Sequence, residues 1–419
     1  MEYLNYDMDG YDLHVIKTDR FKTVFYSVNI RFDDERETER YTSLLSRLLI
    51  QTSKYYSSLR DINAFCASIY DPSYNIRVLG SGAEDILSLT ASFANEKYTE
   101  KGMNEKNFKF LSEFIFEPKV VDGGFDREVF ETQKEKLLEY YRTLRDNPQN
   151  YANSRLAEEM KIRKYDVMKI EELIQSVSGL TAEELYDFYK KVMSEGKLDI
   201  FVCGDVDGDE IRDVINKLIK FNGSKRGKIN HFVRQENYNK KEKIVIEPSS
   251  NTQSNLIVGC KLLDLTDFER KYVFVLYSWI LGGGMNSLLT QTVREKNSLC
   301  YFIYAVRQNL FETMKIYAGI NGEDFDKTYK LIKEEMSNME KGNFSSELFE
   351  GVKEIYYNSL VKIEDSQSDL VASYTSELFV GNDSPDIRKK EMEKVTKEDV
   401  MNLAKKVHID TVYLLKGER

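Results

Sequence analysis

The stretch FDREVFETQKE (125–135) comes back 219 residues later as FSSELFEGVKE (344–354). Phe125, Glu128, Phe130, Glu131, Lys134 and Glu135 recur as Phe344, Glu347, Phe349, Glu350, Lys353 and Glu354, and the same spacing pairs Asp146 with Asp365. A second echo follows. GLTAEELYDFYKKVMSEGKLDIFVCG (179–204) resembles KVTKEDVMNLAKKVHIDTVYLLKG (394–417). Each opens on a threonine, Thr181 or Thr396, placed to cap a helix whose first turn is acidic, and each ends in a β-rich run. Shared order at this length is not a product of composition, so the chain is read as two versions of one α+β unit.

Working outward, strand-like runs (KTVFYSVNIRF, DILSLTASFA; SNLIVGCKL, MKIYAGIN) alternate with helical stretches in both halves. The segment 221–242 (FNGSKRGKINHFVRQENYNKKE) is basic, contains glycine and lacks periodicity. It is the expected linker, leaving domains at 1–220 and 243–419. A chain of 419 residues exceeds one ordinary core, and 41% hydrophobic residues suffice for two. With 70 acidic against 60 basic side chains, the net charge of −10 disfavours nonspecific attraction to nucleic acid or anionic membrane. The opening MEYLNYDMDG does not read as a signal peptide, and no run of about 18 apolar residues predicts a membrane span. Cys66, Cys203, Cys260 and Cys300 are scattered, which predicts buried free thiols and a reduced, cytoplasmic protein.

Several chemistries are excluded by spacing. Only His14, His231 and His408 are present, no two within four residues, so neither HExxH nor HxxEH exists here. No GxSxG elbow and no catalytic-cysteine signature accompanies them. GDVDGDEIRD (204–213) fails as a calcium loop, with Glu210 where glycine should turn and Asn216 where a bidentate glutamate should sit; it predicts a strand-to-helix turn. LGGGMNS lacks the spacing of a dinucleotide fingerprint.

The most distinctive segment is LGGGMNSLLTQTVREKNSLCYFIYAVR (281–307). Gly282, Gly283 and Gly284 permit close backbone approach, a helix is expected over 286–296, and Tyr301 opens the next strand. An arginine fork and a phenolic hydroxyl can both donate to one peptide carbonyl. Residue chemistry alone leaves two readings of Arg294 and Tyr301: a substrate clamp, or a helix-end cap and a packed sheet residue.

This segment, above all VREKNSLCY, resembles the C-terminal-half signature of the pitrilysin-like (insulinase-family) metallopeptidases. DNP (146–148) and GDVD (204–207) extend the likeness along essentially the whole chain. The resemblance implies two homologous α+β domains, each an antiparallel sheet with helices packed on one face, enclosing a chamber for unfolded peptides. Active members carry HxxEH on the first helix of the first half. The matching helix here is YTSLLSRLLIQTSKYYSS (41–58), which puts the two histidine positions on Thr42 and Ser46 and the general base on Leu45. The third ligand position falls near Glu139 or Tyr140. Thr, Leu and Ser can neither seat zinc nor take a proton from its water.

Arg294 and Tyr301 match the substrate-binding Arg and Tyr of the family, with Gly282, Gly283 and Gly284 beside them. The pattern resembles the silent subunit of bacterial two-chain peptidases, most like the elongation factor P aminopentanol modification-associated type. That implies a noncatalytic subunit with no cofactor of its own, an HxxEH-containing paralogous partner that carries zinc, and an unfolded peptide as substrate. The alternative is a standalone peptide-binding or scaffold protein without proteolytic role. An active hydrolase with an unrecognised site is the third.

Overall fold

The structure is a computed structural model and describes residues 1–163, 165–221, 223 and 231–418. The first half carries β1 (Glu2–Asp7), β2 (Tyr11–Lys17), β3 (Thr23–Asp33), β4 (Ser73–Ser81), β5 (Glu84–Ala94) and β6 (Lys197–Gly204). The second carries β7 (Lys243–Pro248), β8 (Ser254–Leu262), β9 (Cys300–Gln308), β10 (Thr313–Ile320) and β11 (Val407–Lys416). Among the helices are α1 (Glu39–Leu49), α2 (Arg127–Arg142), α3 (Pro148–Met160), α4 (Ala182–Glu195), α5 (Phe274–Gly282), α6 (Ser346–Lys362), α7 (Gln367–Thr375) and α8 (Lys397–Ala404).

Topology repeats as the sequence does. The first sheet has the order β1-β2-β6-β3-β5-β4 and the second β9-β10-β8-β11-β7. In each, the last strand of its half (β6, β11) pairs parallel with an early strand on one side (β2, β7) and antiparallel with the next (β3, β8) on the other. The remaining pairings, β3–β5–β4 and β8–β10–β9, are antiparallel. One strand has no counterpart: β1 covers β2, whereas β7 is a sheet edge. The expected all-antiparallel sheets thus each contain one parallel pair.

The capping threonines do what their spacing predicts. Thr181 accepts from the Glu184 amide and Thr396 from the Asp399 amide, and in each case the acidic side chain returns the bond to the cap. The 204–213 turn is a turn, with Asp207 accepting from the Glu210 amide at the start of the helix Gly208–Leu218.

The compact units are not continuous in sequence. One comprises residues 1–142, 171–231 and 363–380; the other comprises 143–170, 232–362 and 381–419. This differs from the boundaries expected at 220 and 243, because 143–170 belongs with the second sheet and 363–380 with the first. Of the expected linker, residues 222 and 224–230 lie outside the described residues. The part after it joins the second unit: the Val233 amide donates to Leu310 O, Gln235 bridges to Leu263, and the Asn239 amide donates to Asp410.

In the first unit the main core lies between one sheet face and the helices, with Leu44, Leu45, Leu48 and Leu49 of α1 meeting Val28, Ile30 and Leu89. Each sheet also carries a helical segment on its other face, where the sequence reading expected none. Leu370, Val371 and Phe379 cover Ile16, Phe201 and Cys203 in the first unit. Ala152, Leu156 and Met160 cover Ile257, Tyr413 and Leu415 in the second. Cys66, Cys203 and Cys260 are buried free thiols, while Cys300 is only half-buried; burial pushes the Cys203 thiol up to about 12. Among the described residues, no helix is long and apolar enough to cross a membrane.

Candidate functional site

Helix α5 is apolar on all sides and buried almost throughout, as a helix enclosed by neighbours must be. It stops at the glycine run. A Cβ added to Gly282 would lie 2.7 Å from the Ala305 nitrogen and 2.8 Å from its Cβ, so the helix end rests directly on β9. A Cβ on Gly283 would come within 2.5 Å of Trp279 Cα, whereas one on Gly284 meets nothing within 4 Å. Packing alone accounts for glycine at 282 and 283. Only Gly284 of the three is both exposed and unconfined.

The chain then turns on Ser287, whose hydroxyl donates to Gly284 O at 2.6 Å. Helical structure begins at 288 and continues over Thr290–Lys296 with the wide pitch of a π-helix. The expected helix is therefore present, two residues shorter at its start and wider than an α-helix, a form common at functional sites. Val293 is buried against the body of the unit, while the Arg294 side chain keeps 41% of its surface exposed. Its guanidinium lies 3.8 Å from Met285 Sδ and 3.5 Å from the Glu295 carboxylate, both near the surface.

Ser298 adopts left-handed backbone (φ 53°) and swings the chain into β9. There the register slips. Cys300 faces Ile320 but Phe302 already faces Gly319, so Tyr301 is an extra residue with no partner on β10. A bulge of this kind re-aims a side chain, and Tyr301 is 77% exposed, in contrast to a packed sheet residue. Gly319 makes room for the neighbouring ring, since a Cβ there would meet Phe302 at 2.6 Å. The π-turn packs directly on β9, bringing Arg294 and Tyr301 onto adjoining elements. Beside them stands Met285, 61% exposed. The sequence reading missed it; an exposed methionine straight after a glycine run was its only signal.

The positions that would hold zinc are of another kind. Leu45 is fully buried in the core of the first unit. The Thr42 and Ser46 hydroxyls turn back on their own helix, towards Glu39 O (3.3 Å) and Ser43 O (3.5 Å). On α2, Tyr140 is exposed with the Arg47 guanidinium 5.7 Å from its ring centre, and Glu139 lies 3.9 Å from Arg142. These residues do not fit a zinc ion. Among the described residues, no group of three or more His, Cys, Asp and Glu side chains gathers to hold a metal. His14 is buried between Tyr3 (2.8 Å) and Asp199 (3.3 Å), His231 is buried 3.2 Å from Glu84, and His408 stacks on Tyr238 at 4.0 Å.

Known proteins resemble this chain along its length. Residues 179–356 match the family described as the peptidase M16 inactive domain. Over 423 aligned residues the chain is 25% identical to the "probable inactive metalloprotease YmfF" of Bacillus subtilis, covering 97% of this chain and 96% of that one. A conserved protein from Enterococcus faecalis V583 has the same fold (TM-score 0.89, 24% identity, 99% of both chains). So does a peptidase M16 inactive domain from Pseudomonas fluorescens (TM-score 0.81, 15% identity, 100% of this chain and 99% of that one).

Proposed function

We propose that this homologue of inactive M16 (pitrilysin-like) peptidases is the noncatalytic subunit of a heterodimeric zinc metallopeptidase, gripping the peptide through Arg294 and Tyr301 while an HxxEH-bearing paralogue supplies the metal. The observation that carries the reading is the contrast between the two half-sites: the zinc positions are closed into core and helix, yet Tyr301 is held out of its sheet by a bulge. Tyr301 is exposed on its bulge, and Arg294 is half-exposed on the adjoining turn. Together they offer a charged fork and a hydroxyl to one carbonyl oxygen. Their work is positioning: fixing the scissile peptide and stabilising charge on its oxygen, with no proton transferred by this chain.

The test is to purify the chain with its endogenous partner and assay zinc and peptide cleavage on the complex and on each part. Zinc and activity are expected only where the partner is present. In the complex, Arg294→Ala is expected to lower turnover on the order of 10²-fold and Tyr301→Phe about tenfold, with the heterodimer intact. Chelator-sensitive cleavage by the isolated chain would overturn the reading. A chain that binds unfolded peptide but recruits no peptidase would support the standalone scaffold instead.

A further inference from the structure

The two main sheets differ by one strand, and the difference leaves an open edge. In the first, β2 is covered by β1 in a six-residue antiparallel register from Glu2↔Lys17 to Asp7↔Asp12. Its residues are nearly all buried. The corresponding β7 pairs only with β11, and among the described residues no strand lies on its other side. Ile244 and Ile246 are 48% and 53% exposed. An uncovered strand with two half-bare isoleucines is a template for another strand, and natural sheets seldom leave one without protection.

The sequence KIVIEP (243–248) is self-complementary about its centre. Set antiparallel to a second copy across a two-fold axis at Val245, Lys243 faces Glu247 of the other copy. Ile244 faces its Ile246, and Val245 faces itself. Apolar pairs thus fall directly opposite each other, the arrangement that stabilises antiparallel ladders, and no like charges are set against one another. Within its own chain Lys243 pairs with Glu159, and Glu247 accepts from Tyr151 at 2.7 Å and Tyr413 at 2.6 Å, so the seam rests on the isoleucine and valine pairs. Pro248 ends the strand, and Lys240 and Lys241 precede it. These residues block indefinite addition of strands but not a closed pair, which uses up both edges at once.

From this we infer that β7 is a self-association edge, joining two copies of this chain through an isologous β7–β7 seam. It is independent of the role of Arg294 and Tyr301. The seam is smaller than the roughly 1,600 Å² of a standard interface, so association is weak and depends on concentration.

The experiment combines register and mass on the full-length chain. With Cys300→Ser as background, Val245→Cys is expected to cross-link to itself under mild oxidation, since residues on the axis approach within disulfide range. Val361→Cys, on α6 and more exposed than Val245, is expected not to. Sedimentation should show reversible dimers that the double variant I244K/I246K weakens at least about tenfold; both sites are exposed, so circular dichroism should stay unchanged. A single monomeric species at every concentration would overturn the inference. So would cross-linking no greater at 245 than at 361, or dimers untouched by the two lysines.

Discussion

The reverse faces of the two sheets, those away from the main helical layers, are covered by equivalent pieces of chain and yet end differently. Helix α3 follows Asp146 and α7 follows Asp365, the pair related by the repeat, and each is capped by its first polar residue, Asn147 or Ser366. On the second sheet, α3 closes the surface. Met160 settles over Gly259, where an added Cβ would lie 2.6 Å from its sulfur. Asn153 Oδ1 accepts from Lys315 at 2.8 Å and from Tyr317 at 2.9 Å. On the first sheet, α7 is nine residues against thirteen for α3; beside the apolar patch of Ile16, Phe201 and Cys203 that it covers, the strands present the small polar Ser27, Asn29, Ser88 and Thr90. A groove of about 350 Å³ remains between them and Val371, Ala372 and Phe379. The same helix position thus seals one sheet and leaves the other hollow, because helix length and side-chain size under it differ.

Two substitutions probe that contrast through stability. Leu156→Ala, on the buried side of α3, is expected to cost about 3 kcal/mol in urea unfolding, the usual toll of an unfilled core cavity. Val371→Ala, on the wall of the groove, is expected to cost about 1 kcal/mol, since neighbours can move into open space. Equal losses would mean that both faces are packed to the same degree.

Next in size is Lys315, buried on the closed face with neutral partners. Burial alone lowers its ammonium to about 8. The unfolded chain holds that proton up to the ordinary lysine value of about 10.4, so between these values it binds more protons than the folded chain and stability rises with pH. Below about pH 8 the folded state carries a desolvated charge. Lys315→Met is expected to stabilise by about 2 kcal/mol at neutral pH, with the gain shrinking as pH rises through that window. A gain that does not vary with pH would assign the effect to packing rather than charge.

How much of this could be read from the residues follows from what each feature depends on. The repeat, the capping boxes and several strands are local, and they stand where the periodicity put them; SNLIVGCKL is β8 residue for residue. That the unit containing α3 is the second and not the first was illegible, because the spacing of 219 states that α3 and α7 are equivalent without saying which sheet each covers. The edge strands β1, β4 and β7 were also missed, whereas β9 begins within one residue of the expected start at Tyr301. Half-exposed strands such as KIVIEP carry weak alternation. At the candidate site the residues Arg294 and Tyr301 were legible, but the bulge that exposes Tyr301 was not, since it is a property of the pairing with β10 and Gly319 lies outside any local window.

The smallest expected effect singles out how α7 is fastened over its hollow face. The Gln367 amide donates to Thr23 O at 2.9 Å and Cys203 O at 2.7 Å, and its carbonyl accepts from the Thr23 hydroxyl at 2.5 Å, tying the helix to β3 and β6. At the repeat-related position α3 has Pro148, which can make none of these bonds and leaves fastening to the apolar ridge and to Asn153 farther along the helix. Both residues occupy the first turn of their helices, where proline needs no hydrogen bond and suits the backbone. Gln367→Ala and Gln367→Pro are therefore expected to cost the same, about 1 kcal/mol each, which is the loss of the amide bonds. Gln367→Glu is expected to cost more, because a carboxylate keeps the bond from Thr23 but sets a charge against two carbonyl oxygens. If proline proves far worse than alanine, α7 depends on its backbone at that turn, and the helix is held by its own geometry rather than by the glutamine.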